Sequence, residues 1–119
     1  MPIMLINLVY SQVGLGEIRE AYASLREALQ LNMENDSISW VVFSLVSYAN
    51  ILAAEGKREQ ALNVLGLCMH HPETNSDTRR DIQIVLEDLR KVRKDDIQAG
   101  LERGKSMALK EVVVTALGG

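Results

Sequence analysis

One spacing of small and apolar residues occurs twice in this chain, about 40 residues apart. Gly16-x4-Ala21-x3-Leu25-x2-Ala28 recurs as Gly56-x4-Ala61-x3-Leu65-x2-Cys68. Self-similarity at such a period marks a chain built from stacked helical hairpins, each too small to bury its own apolar face. The physical content of the pattern is local. A glycine lets the chain turn between two helices at positive φ. The alanine that follows lets the second helix lie close against the first, and the leucine and small residue continue its buried stripe.

Composition supports a helical core. Hydrophobic residues make up 47% of the 119, yet aromatics only 4%: Tyr10, Tyr22, Trp40, Phe43 and Tyr48. A β-sandwich would want more aromatic and turn residues. A chain of this length forms one domain, residues 1–119, with enough surface-to-volume advantage to hold a core. Its formal charge of −3 leaves no nucleic-acid footprint. Residues 1–72 carry four Lys/Arg against seven Asp/Glu, whereas residues 73–119 carry nine of each. Cys68 is the only cysteine, so no intrachain disulfide forms and a reducing cytoplasm is the expected setting. The apolar N-terminus lacks the basic n-region and small-residue cleavage site of a signal peptide. The uncharged run 37–54 approaches membrane-spanning length, but Ser39, Ser44, Ser47 and Asn50 fall on several faces and favour a buried helix.

Taken in order, residues 3–13 read as the first helix of a hairpin, closed by Gly14-Leu15-Gly16. A terminal helix normally shows a polar outer face; this one hardly does, so it is expected to be covered or to belong to a longer chain. Residues 17–32 form its partner, with Glu17 and Glu20 at the positive end of the helix dipole. Asp36 or Ser37 caps the next helix, 38–55, the longest apolar element and the expected centre of the core. Gly56 ends it, and residues 57–71 form the fourth helix, stopped by Pro72. The hairpins therefore span about 3–32 and 37–71, and C-terminal helices about 76–117. Asn75, Ser76 or Asp77 caps a fifth helix to about residue 93, with its stripe on Ile82, Val85, Leu86, Leu89 and Val92. Asp95 or Asp96 caps a short helix 97–103, with a continuous helix through Lys94 as the alternative; Gly104 breaks it, and Ser106 caps a last helix, 107–117.

The glycine, alanine and leucine positions of the two repeats resemble the turn glycine and second-helix positions of tetratricopeptide repeats. The period of about 40 exceeds the family's roughly 34. Val9 and Gln12, then Ala49 and Leu52, stand where its first helices carry a small residue and a tyrosine. The resemblance implies an all-α fold: stacked antiparallel helical hairpins, about seven helices, wound as an α-α superhelix. From about residue 21 to 117, the order of elements resembles the C-terminal end of repeat tails on bacterial signal-transducing ATPases and transcriptional regulators. That likeness rests on EGKREQAL, the HHP ending, Ala99, Arg103-Gly104 and the short final helix, and it implies a sensor or scaffold region that restrains a partner domain.

No motif in the chain carries chemistry. Gly104-Lys105-Ser106 resembles the end of a phosphate-binding loop, but Ala99 stands where the first glycine belongs and no apolar strand precedes it. Cys68, His70 and His71 lack the further ligands that would complete a tetrahedral site. A nucleophilic Cys68 would need an exposed thiol, and the repeat register buries it. Glu87 faces Lys91 as an ordinary helix pair. The basic cluster Arg90-Lys91-x-Arg93-Lys94 is cancelled by Glu87, Asp88, Asp95 and Asp96. No enzyme, cofactor or metal site is expected. The expected function is protein or peptide binding, with no direct nucleic-acid or membrane partner. The first and third helices would line the groove, making Asn7, Tyr10, Ser44, Ser47, Tyr48 and Asn50 the candidate contacts; that they fill polar niches in the core is an equal reading. The alternative is a homodimer through the apolar N-terminal helix.

Overall fold

The computed structural model describes residues 11–35, 38–72, 74–92 and 97–118, leaving aside the side chains of residues 88, 90–92 and 118. All regular structure among these residues is helical. A helical segment at 11–14 is followed by α1 (Ile18–Glu34), α2 (Ile38–Ala54), α3 (Arg58–His70), α4 (Ser76–Val92), α5 (Ile97–Lys105) and α6 (Leu109–Gly118). The expected caps Asp36, Ser37, Asp95 and Asp96 and most of helix 3–13 lie outside the described residues, as does the charge pattern of the basic cluster at 90–94.

The repeat is visible atom by atom in its two turns. Gly16 and Gly56 have φ of 78° and 79°. Gly16 N–H donates to Val13 O (3.1 Å) and Glu17 N–H to Gln12 O (2.8 Å). The second turn repeats this, Gly56 to Ala53 at 3.1 Å and Lys57 to Leu52 at 2.9 Å. Such paired bonds close a helix end only around a left-handed residue, which is why glycine stands there.

α2 is the centre of the core. Val41, Val42, Leu45, Val46, Tyr48, Ala49, Ile51 and Leu52 are all buried, and they point to every side of the helix. An all-round apolar helix must be surrounded. α1 and α3 run antiparallel to it: Asn32 at the end of α1 meets Trp40 and Ser44 near the start of α2, and the Cys68 thiol near the end of α3 reaches Val42 O at 3.6 Å. α4 also packs against α2, placing Ile82, Val85, Leu86 and Leu89 in the core as the stripe predicts. Asn75 is its cap, its Oδ1 accepting from Thr78 N–H at 2.9 Å. α6 then returns to α1 and buries Val112, Val113 and Ala116.

Two expectations for the C-terminal part are corrected. Gly104 does not break its helix; it lies inside α5, which runs to Lys105. It is there because α5 lies against the α3 backbone. A Cβ on Gly104 would overlap Asn63 O and sit 2.9 Å from Leu67 N; one on Gly100 would sit 2.6 Å from Leu62 Cβ; one on Gly66 would overlap Leu101 O. Nor does Ser106 cap the last helix. Ser106 and Met107 donate back to Arg103 O (3.3 Å) and Gly104 O (3.0 Å), closing α5, so α6 starts only at Leu109.

Gly104→Ala is expected to destabilise the fold by about 1–3 kcal/mol, because forcing α3 and α5 apart outweighs the helix propensity alanine adds. Gly14, with nothing within 4 Å of a Cβ, provides the opposite case. Gly14→Ala should be neutral or stabilising by up to about 1 kcal/mol. Thermal or urea unfolding of the two variants checks both signs.

Candidate functional site

α6 packs against α1, and its residues share the lining of one opening with α2 and α3 and of another with the end of α1 and the start of α2. The first is a cavity of about 170 Å³. Its walls are Tyr48 and Leu52 of α2, Gln60, Asn63 and Val64 of α3, and Glu111, Val112 and Thr115 of α6, with Met107 before them. A second compartment of about 240 Å³ adjoins it through Tyr48, Leu52, Gln60 and Thr115, and adds Tyr22, Arg26 and Lys57. The two make one groove with an aliphatic floor and amide, hydroxyl, phenol and charged groups (Arg26, Lys57 and Glu111) along its sides.

The tyrosines are held firmly. Their rings meet edge to face with centroids 6.3 Å apart and planes at 61°. Tyr22 donates its phenol proton to Glu55 Oε1, and Lys57 Nζ lies 3.7 Å from the same carboxylate. Burial first, then the hydrogen bond and charge of Glu55, pushes the Tyr22 phenol above its ordinary range. Tyr48 moves the same way, from burial and from Glu55. The single Tyr22 phenol proton is committed to Glu55, which leaves its oxygen as an acceptor for a ligand, while the protonated Tyr48 phenol is a donor.

The candidate contacts divide. Tyr48 lines the groove, though only its edge is exposed. Asn50 is partly buried. Ser44 and Ser47 are wholly buried and face no groove, because α2 is covered on the sides they occupy. Of the two readings of these serines, their burial matches the core niche rather than presentation to a partner. Ser44 Oγ accepts from Asn32 Nδ2 (3.0 Å) and donates to Trp40 O (2.9 Å), which fastens α1 to α2. The Ser47 hydroxyl has no protein partner among the described residues. Asn7 and Tyr10 lie outside the described residues.

The groove residues that sequence reasoning missed are Tyr22, Gln60, Asn63 and Thr115. Gln60 and Thr115 look like ordinary solvated helix positions, and only the return of α6 brings them together. Tyr22 did carry a signal: an aromatic immediately after the repeat alanine on an otherwise polar helix flank.

The Cys68 thiol is buried in the core, and that burial pushes it up to about 12. His70 Nδ1 lies 2.9 Å from Gly66 O on its own helix. No group of three His, Cys, Asp or Glu among the described residues could hold a metal ion. None of the described helices is long and apolar enough to cross a membrane.

Ser44 and Ser47 allow a sharp comparison. Ser47→Ala removes an unpaired buried hydroxyl and should stabilise the fold by up to about 1 kcal/mol, whereas Ser44→Ala breaks a satisfied pair and should cost about 1–2 kcal/mol. Urea unfolding of both variants measures the difference.

No family model, curated protein or solved structure matches the chain.

Proposed function

We propose that this chain is a non-catalytic protein-interaction module of helical-repeat type, taking a peptide segment of a partner protein in the groove between α2, α3 and α6. The observation that carries this reading is the mixed character of the groove. Leu52, Val64, Met107 and Val112 offer an apolar surface, while Tyr22, Tyr48, Gln60 and Thr115 add hydrogen-bonding groups. Apolar clefts with a few placed polar groups are where ligands bind, and tyrosine supplies contact area at low entropic cost. The tetratricopeptide-like repeat pattern and the likeness of residues 21–117 to repeat tails support a further step. In it, the module is the sensor or regulatory part of a bacterial signalling or transcription-regulating system, working in the cytoplasm without touching nucleic acid itself.

Self-association is a second reading, and a separate feature favours it. On the other flank of α6, an opening of about 270 Å³ is lined by Val41, Leu109 and Val113. Around it Met33, Ile38 and Val114 are 45%, 44% and 59% exposed. Contiguous exposed apolar surface marks association sites.

One set of variants separates the readings. Panning a random peptide library on the chain should enrich a shared motif, and Thr115→Arg, an exposed substitution in the groove, should weaken its binding about tenfold or more without lowering thermal stability. If no motif is enriched, or Thr115→Arg binds equally well, the groove is not the site. Light scattering at twice the 13.2 kDa chain mass would support self-association instead. Loss of that dimer in Val114→Lys places it at the α6 flank, and loss in Leu5→Glu or Leu8→Glu places it at the N-terminal helix.

A further inference from the structure

A third cavity, of about 280 Å³, lies away from the groove, between the start of α2 and the first turns of α4. Trp40 and Phe43 form one wall. Both are partly buried, and their rings meet at 61° with centroids 5.7 Å apart. Asp77 and Asp81, one helical turn apart on α4, form the other wall together with Arg80.

The charges of this lining do not balance. Two carboxylates face one guanidinium, and Arg80 Nη2 lies 3.6 Å from Asp77, the more exposed of the two. That pair is exposed on both sides, so it holds Arg80 only weakly. Burial raises the Asp81 carboxyl, Arg80 pulls it back down, and the repulsion of Asp77 adds a smaller upward push. Thr78, 1% exposed, also lines the cavity, and its hydroxyl has no protein partner among the described residues. An anion is disfavoured here. Asn75 Oδ1 already takes the Thr78 N–H that the helix start would offer, and Asp77 occupies the first turn. Those same two groups offset the half-charge of the helix dipole that would otherwise oppose a cation.

We propose that this cavity binds an organic cation, a guanidinium or ammonium group on an alkyl stem, of the kind an arginine or lysine side chain presents. The alkyl stem packs against the Trp40 and Phe43 rings, and because the carboxylates line the same cavity the head also stays close enough to the aromatic wall to be favoured by it. The charged head reaches Asp81, with the Thr78 hydroxyl as a further acceptor. Arg80 is the internal competitor for the same carboxylates.

Trp40 is the only tryptophan of the chain, so its fluorescence reports on this cavity directly. Titration of the whole chain with butylguanidinium should give a saturable change in emission, with half-saturation on the order of millimolar. Neutral n-pentanol should give none. Asp81→Asn should raise the half-saturation about tenfold, and Arg80→Gln should lower it several-fold. Asp77→Asn, at an exposed position, serves as a second carboxylate variant; circular dichroism confirms that each variant keeps its helix content. The peptide Gly-Arg-Gly identifies the source: tighter binding than butylguanidinium points to a partner's side chain, and equal binding to a free small cation. The proposal is overturned if pentanol reproduces the signal, if no probe saturates, or if folded Asp81→Asn and Asp77→Asn both titrate like the parent chain.

Discussion

A helix that is apolar around its whole circumference has to be enclosed, and α2 is such a helix. Each fully buried Leu, Ile or Val contributes about 1.5–3 kcal/mol relative to exposure. With Val42, Leu45, Val46, Ile51 and Leu52 all at or near zero exposure, no other element offers a comparable gain. The other helices take their places around that demand. α1 and α3 flank α2 as its antiparallel partners, α4 crosses it with its amphipathic stripe, and α6 comes back from the end of the chain to cover what remains.

The second constraint is how near α3 and α5 approach. Gly66, Gly100 and Gly104 let one helix rest on the backbone of the other, with Leu62 and Leu101 filling the space on either side. α5 has nine residues and would be marginal alone. Its stability comes from this contact, supported at the surface by the Arg103–Glu59 ion pair. Because α5 is placed so tightly, the turn through Ser106 and Met107 launches α6 in a defined direction. The groove walls therefore depend on glycines that lie outside the groove.

Polar groups in such a core fall into two kinds. Asn32, Ser44 and the Trp40 carbonyl satisfy one another and hold α1 to α2. Others, such as Tyr48 on the groove and Thr78 on the aromatic cavity, lie where helices part and line the openings between them. The rigid first kind positions the second. Trp40 belongs to both: its carbonyl is tied into the α1–α2 link, while its ring forms a cavity wall.

The residues alone determined most of the described helices and the two glycine turns, because those depend on neighbours a few positions away. The glycine-alanine-leucine spacing forecast both turns and the inward stripes at Ala21, Leu25, Ala61, Leu65 and Cys68, and the Ile82–Leu89 stripe forecast the buried face of α4. Helix boundaries near Gly104 were misread because a glycine that ends a helix and one that admits a neighbouring backbone look the same in one dimension. Ser44 and Ser47 were open to misassignment for a related reason: a serine on an apolar helix can face a groove or a core niche, and its local pattern is identical in both. Only the tertiary structure decided that α6 packs against α1, that Thr115 stands beside Tyr48, and that Asp81 faces the Trp40–Phe43 pair. Those contacts join residues tens of positions apart, and they are set by packing around α2, which no local periodicity encodes.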